Sequence, residues 1–207
     1  LYLFPELKDA EYVLLDVSAN THPIDGASQR RVVMDLLKGG QWGIVAADDG
    51  YLLLGKGAGS SSFPERFFDF ARARDPKIDN SIETSFGPLR LLGYSFEPKG
   101  KLHGKDPYAT LTMYWRISEP VKKDYGIAVF LISPSNTVVA GITQHAATIW
   151  YPTSQWRPGE VIKVVVPRIP LAGYARGEVQ LGVIDGQDEN VVEQRVRPKV
   201  LESPQSF

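Results

Sequence analysis

The segment Ala109-Thr-Leu-Thr-Met-Tyr-Trp-Arg-Ile117 decides the fold class. Its apolar side chains alternate with polar or amphipathic ones at every second position. Because successive side chains of a strand point to opposite faces, this period predicts a strand with one buried face. Other strand-length runs lie on both sides of it, with turn residues between them: Leu89–Phe96, Tyr125–Ile132, Thr137–Thr143, Val161–Val166, Glu178–Ile184 and Asn190–Val196. About seven short strands predict an antiparallel β-sandwich, and long, uneven loops disfavour the alternative of a closed barrel.

The N-terminal part of the chain follows a different pattern. The apolar run Tyr12–Val17 is followed by a polar loop and by a segment in which Val33, Leu36 and Leu37 recur at helical spacing. We expect a helix over residues 27–38, with Ser28 as its cap and Gly39-Gly40 at its end.

Two further strands are expected directly after this helix. Trp42–Ala47 is typical of a buried strand, and Asp49-Gly50 predicts a type I′ turn into Tyr51–Leu54. The complete pattern is β-α-β-β. The Gly- and Ser-rich stretch 55–62 lacks the terminal Lys-Ser/Thr of a phosphate-binding loop, so we expect a flexible loop there. A short amphipathic segment begins at Phe63-Pro64, with Phe67, Phe70 and Ala71 on one face.

These patterns predict an α+β protein with two subdomains. Residues 1–74 form a small α/β subdomain, 75–83 a polar linker, 84–197 the β-sandwich and 198–207 a tail.

Composition excludes several classes of function. The 207 residues hold 23 Lys+Arg against 24 Asp+Glu, a formal net charge of -1, so the basic footprint of a nucleic-acid-binding protein is absent and no nucleic-acid partner is expected. Without cysteine the chain can form neither disulfides nor thiolate metal sites. No apolar run approaches the roughly 20 residues that cross a bilayer.

The three histidines give no sign of a metal site. His22, His103 and His145 lie far apart in sequence, and none has a second histidine two to four residues away. We expect them in loops on a solvated surface, and we expect no metal and no cofactor.

Among the carboxylates, Asp16 is the one weak catalytic candidate. It ends a strand at a position where α/β folds place functional side chains. The alternative, which we favour, is that its carboxylate caps the following loop. Asp48 and Asp49 are adjacent in sequence, but neighbouring strand residues point to opposite faces, and the Asp-Gly turn explains Asp49.

Trp150, Tyr151 and Trp156 are the candidate ligand-binding residues. They lie in a loop-like stretch, residues 148–160, that contains two prolines. Their rings could stack on a sugar ring, which would make the domain a carbohydrate-binding module. The favoured alternative is that the rings pin a long connection to the sandwich while their N–H and O–H groups bond to backbone.

Several phrases of the sequence resemble the C-terminal soluble region of a family of large polytopic membrane proteins of unknown function. That family is distantly similar to the membrane-embedded, GT-C type glycosyltransferases that use lipid-linked sugars. The phrases are Leu1–Pro5, Asp9–Asp16, Trp42–Leu54, Trp150–Thr153, Trp156–Glu160 and Ile169-Pro170.

The resemblance implies that the chain is part of a longer protein, as the apolar start without Met also indicates. Transmembrane helices upstream would hold it at the cell membrane, on the extracytoplasmic side. It would be a non-catalytic accessory module whose partner is the transmembrane part of its own parent, with carbohydrate or a lipid-linked sugar as a further candidate. The parent would be a candidate glycosyltransferase, with its catalytic residues outside this chain. The alternative function is a surface or secreted carbohydrate-binding β-sandwich.

Overall fold

The computed structural model describes residues 9–18, 25–99, 108–133, 135, 137–170, 178–185 and 200–201. Within them the protein is mostly β, with three antiparallel sheets and few helices. The predicted α+β class is confirmed. The expected strand at Asn190–Val196 lies outside the described residues, and so do His22 and His103.

A three-stranded sheet forms the core of the N-terminal half. Its strands are β1 (Tyr12–Asp16), β2 (Trp42–Asp48) and β3 (Tyr51–Lys56), and β3 lies between the other two, antiparallel to both. The helix α1 (Gly26–Lys38) connects β1 to β2. The predicted β-α-β-β order is therefore confirmed.

The cap of α1 differs from the prediction. Asp25 is extended and its carboxylate accepts a hydrogen bond from the Ser28 amide at 2.8 Å, which also lowers the Asp25 pKa. An N-cap must precede the first helical turn with extended backbone, and Ser28 already lies inside the helix. The predicted core face is confirmed, since Val33 and Leu37 are buried.

The turn between β2 and β3 is as predicted. Asp49 and Gly50 both have positive φ, 44° and 83°, as a type I′ turn requires. The turn packs on a 3₁₀ helix, Glu65–Ala71, which buries Phe67, Phe70 and Ala71.

The expected flexible loop runs along β2. The Ser60 carbonyl accepts a hydrogen bond from the Ile44 amide at 2.6 Å, and the Gly57 amide donates to the Gln41 carbonyl at 3.0 Å. A Cβ atom at Gly43 would collide with the Ala58 carbonyl. The loop therefore covers part of the β2 edge, and only glycine permits this approach.

The C-terminal half consists of two four-stranded sheets. The first has the order β4-β5-β6-β9, with β4 (Asn80–Phe86), β5 (Leu89–Lys99), β6 (Tyr108–Ile117) and β9 (Ile162–Pro170). The apolar positions of β6 from Ala109 to Ile117 are all buried, which confirms the alternation that predicted this strand. β9 extends four residues beyond its predicted end at Val166.

The second sheet has the order β11-β10-β7-β8. Its strands are β7 (Tyr125–Ile132), β8 (Val138–Ile142), β10 (Glu178–Asp185) and β11 (Val200–Leu201). β7 has its predicted bounds, whereas β11 lies in the stretch that was expected to be a tail. A two-residue strand carries no periodic signal, so only its pairing with β10 reveals it.

All three sheets contribute to one hydrophobic core. Buried residues of the small sheet, such as Leu52 and Leu54, belong to the same cluster as Trp115 of β6 and Val129 of β7. β4 begins at Asn80, so the second part of the predicted linker belongs to a sheet.

Candidate functional site

The three predicted aromatic residues lie at the junction between the two halves. The helix α2 (Ala146–Trp150) and a short 3₁₀ helix (Thr153–Gln155) occupy the stretch that was expected to be a loop. The Trp150 ring packs edge-on against Phe63 and Phe67, with centroids 6.1 and 5.9 Å away. The Tyr151 ring stacks on Phe68 at 4.9 Å.

These rings do not form a sugar-stacking surface. Trp150, Tyr151 and Trp156 are only 3%, 3% and 2% exposed. The Trp156 indole N–H donates to the Tyr151 carbonyl at 2.8 Å. Stacking on a sugar requires open ring faces, and here neighbouring side chains cover them. Their burial is that of the packing alternative, but only Trp156 bonds to backbone: the Tyr151 hydroxyl bonds to side chains, and the buried Trp150 Nε1 has no hydrogen-bond partner among the described residues.

An ionic network centred on Arg72 surrounds Tyr151. The Arg72 guanidinium donates to the Glu65 carboxylate at 2.8 Å and to the Tyr151 hydroxyl at 3.1 Å, and its Nε lies 3.4 Å from the Glu160 carboxylate. The Tyr151 hydroxyl in turn donates to Glu160 at 2.8 Å. Arg157 completes the network by donating to Glu65 at 2.7 Å. The network therefore joins residues of the N-terminal half, Glu65 and Arg72, to residues of the C-terminal half, Tyr151, Arg157 and Glu160.

The network changes the protonation equilibria of its members. Burial alone would lower the pKa of Arg72, but its hydrogen bonds to Tyr151 and Glu65 raise it overall. Hydrogen bonds from Arg72 and Arg157 lower the pKa of Glu65. Burial is the main cause of the raised pKa of Tyr151. At neutral pH this arrangement maintains a charged guanidinium and a neutral phenol, a structural rather than a proton-transferring set of states.

Asp16 has the arrangement of the capping alternative. Its Oδ1 accepts hydrogen bonds from the Ser18 amide at 3.0 Å and from the Ser18 hydroxyl at 2.6 Å. Both bonds turn the chain at the end of β1, as an Asx turn does.

His145 is buried, contrary to the prediction of a surface histidine. It is 1% exposed, and its Nε2 lies 2.9 Å from the Ile127 carbonyl, so Nε2 carries the proton and donates it. Burial lowers the pKa of His145 to about 4. His145 directly precedes α2, and the packing of α2 against β9 draws it into the core. Nothing in the sequence around His145 predicts that it is buried.

A cleft of about 280 Å³ opens at the same junction. We call it the junction cleft. It is lined by the end of β1, the β2–β3 turn, the 3₁₀ helix Glu65–Ala71, α2 and β9. Its polar lining residues are Ser18, Asp49, Tyr51 and Lys163, and its apolar lining residues are Phe70, Ala146, Ala147 and Val165.

Lys163 reaches the cleft because of its position on β9. Ile162 and Val164 are buried in the core. Lys163 and Val165 therefore point to the other face of β9, and α2 and the 3₁₀ helix Glu65–Ala71 cover part of that face. Asp49 reaches the cleft because the turn positions it there.

Sequence reasoning missed Arg72 and Lys163 and assigned Asp49 only to its turn. In the sequence, a basic residue that follows an aromatic stretch, or that lies on the polar face of a strand, is indistinguishable from a solvated one. The one available signal was the alternation around Ile162, which places Lys163 on the face opposite the core.

The described ranges contain neither a cluster of metal ligands nor a membrane-spanning helix. No group of three or more His, Cys, Asp or Glu residues there could hold a metal ion. No helix in the same ranges has the length and apolarity to span a membrane.

Comparison with known proteins gives no relative. The chain matches no protein-family model, and neither a curated protein nor a solved structure is significantly similar to it.

Proposed function

We propose that this chain is the non-catalytic, extracytoplasmic C-terminal accessory module of a multi-pass membrane protein that resembles a lipid-linked-sugar glycosyltransferase. Its role in that parent is to dock against the part that precedes it. The phrases quoted in the sequence analysis motivate the parent, and one structural observation supports the docking role.

That observation is an apolar outer face on the three-stranded sheet. Tyr12 and Leu14 of β1 are 62% and 67% exposed, and Val45 of β2 and Tyr51 of β3 are 50% and 55% exposed. The Tyr12 ring and Val45 both reach over Gly55, so the face is continuous across the sheet. Contiguous exposed apolar side chains are typical of interaction surfaces.

The position of this face in the chain favours the parent as its partner. β1 is the first described strand, so in the proposed parent the transmembrane part would precede the sheet that carries the face. A partner connected in sequence docks at high effective concentration and needs little affinity of its own.

The size and location of the native protein test the parent. An antibody to this chain should detect a membrane-bound protein much larger than 207 residues in fractionated cells. A protein of about this size in the soluble or secreted fraction would overturn the proposal.

Site-specific photocrosslinking tests the docking role. A photocrosslinking amino acid at Leu14 should crosslink to the preceding part of the native protein, detected by proteolysis and mass spectrometry. The matched control is Val138, which is 52% exposed on another sheet. Equal crosslinking from both positions, or none from Leu14, would contradict docking through this face.

A further inference from the structure

Two opposite charges line the junction cleft without pairing with each other. Lys163 is half-buried and Asp49 is exposed. Within the described part of the chain neither has an oppositely charged group within 4.0 Å. Charged side chains that are partly buried are usually paired with an opposite charge. A ligand that supplies an anionic group would give Lys163 the partner that the described residues do not provide.

The volume of the cleft and its apolar lining residues indicate the size of the ligand and the kind of side chain it carries. The cleft, at about 280 Å³, lies just below the roughly 300–1,000 Å³ of pockets for drug-sized ligands. It therefore accommodates one small molecule. Phe70, Val165 and the two alanines of α2 provide an apolar wall, which fits a short hydrocarbon group.

The walls of the cleft are preformed. The amides of Asp49 and Gly50 donate to the carbonyls of Arg66 and Phe67 at 3.0 and 2.9 Å, which fixes the turn on the 3₁₀ helix. The Gly50 Cα hydrogen faces Ser18 and Phe70, so closely that a Cβ there would lie 2.9 Å from the Ser18 Cβ. A cleft whose backbone walls are already positioned spends little free energy on ordering them when a ligand binds.

We propose that the junction cleft binds a small zwitterion, of the class of free α-amino acids with an apolar side chain. Lys163 contacts the ligand carboxylate, Asp49 contacts its ammonium, and the apolar wall contacts its side chain. A phosphate fits less well, because the Asp49 carboxylate repels a dianion. The cleft shares Tyr51 with the apolar face of the three-stranded sheet, but every lining residue belongs to this chain, so binding can be measured without the proposed membrane parent.

Three matched ligands test the proposal: leucine, 4-methylpentanoate, which lacks the ammonium, and 3-methylbutylamine, which lacks the carboxylate. Each is titrated into the whole chain and followed by calorimetry and by amide NMR shifts. Leucine should bind saturably, and each analogue at least about tenfold more weakly, because each leaves one charge of the cleft without its partner.

Two variants test which charged group of the cleft contacts which charged group of the ligand. Lys163→Met retains the apolar stem of the side chain, and Asp49→Asn is compatible with positive φ. Lys163→Met should no longer distinguish leucine from 3-methylbutylamine, and Asp49→Asn should no longer distinguish it from 4-methylpentanoate. The controls Lys122→Met and Asp35→Asn remove exposed charges that do not line the cleft, and they should bind as the unaltered chain does.

Three outcomes would overturn the proposal. These are no saturable binding of leucine, equal binding of leucine and either analogue by the unaltered chain, or unchanged selectivity in both cleft variants whose NMR spectra show an intact fold. None of these outcomes bears on the membrane parent, which the fractionation experiment tests separately.

Discussion

At the scale of single residues, burial decides the chemistry of the groups at the junction. His145 and Arg72 are both titratable and both lose hydration on folding, yet their pKa values move in opposite directions. Arg72 has carboxylate and phenol partners that favour its charged form, whereas His145 has only a carbonyl. The difference predicts how each contributes to stability.

We expect His145 to make the folded state less stable in mild acid. Its pKa is about 4 when folded, against 6.5 for the ordinary group, so the unfolded chain binds more protons between these values. The contribution of neutral, buried His145 to the free energy of unfolding is therefore complete above pH 6.5. It declines as the pH falls towards 4, by at most about 1.4 kcal/mol per pH unit. Urea unfolding of the chain and of His145→Gln across this range should show their free-energy difference changing with pH. Parallel pH profiles would contradict the assignment.

Arg72 should be the most costly charge to remove. Its side chain is 16% exposed, and Arg72→Met would remove the guanidinium that contacts Glu65, Tyr151 and Glu160, while the bond from Tyr151 to Glu160 would remain. We expect a loss of about 2–3 kcal/mol in the free energy of unfolding, measured in urea. Arg74→Met is the control, because that side chain is 88% exposed and should change stability by less than about 0.5 kcal/mol. Similar losses in the two variants would show that the network contributes nothing specific.

At the scale of elements, the observed structure differs from the expected one in its loops and in two strands, β4 and β11, which lie where a linker and a tail were expected. Most strand bounds differ by only a few residues from those expected. The stretches expected as loops instead pack closely: residues 57–62 along β2, and residues 146–155 as α2 with a 3₁₀ helix. The Thr153 hydroxyl, which is buried, accepts from the Tyr125 amide at 2.7 Å and so joins this connection to β7.

A pair of glycine substitutions measures how closely the loop lies on β2. Gly43→Ala should destabilise the protein by about 2–4 kcal/mol, because the new methyl group collides with the Ala58 carbonyl. Gly59→Ala has open space around its Cβ and ordinary φ, so it should be neutral or stabilise by up to about 1 kcal/mol. Thermal unfolding followed by circular dichroism compares the two. Equal melting temperatures would mean that the loop does not lie against β2 in solution.

At the scale of the whole molecule, the two halves share a core and an ionic network. Trp150 packs on the phenylalanines of the first half, and Arg72 connects them to Tyr151 and Glu160. Neither half can bury these groups without the other.

The protein should therefore unfold in a single cooperative transition. Native-state hydrogen exchange should give the same opening free energy for peptides from β3 and from β6, which lie in different halves. A chain that ends at residue 78 should lack dispersed amide NMR signals. Two separate transitions, or a folded 1–78 chain, would contradict the shared core.

The sequence alone determined the fold class, the β-α-β-β order, the type I′ turn and the central strand around Met113. Each of these depends on a local period or on the φ preference of one or two residues, which short stretches encode. It also posed two alternatives each for Asp16 and for the aromatic residues near Trp150.

Only the tertiary structure decided which alternatives hold and where the junction cleft lies. The contacts responsible join distant residues: Arg72 with Tyr151, Arg157 with Glu65, and the turn at Asp49 with the face of β9 at Lys163. Such pairs leave no periodic trace, because each partner alone is compatible with a solvated surface. Burial of His145 follows from the same packing, since α2 is drawn into the core by elements far from it in sequence.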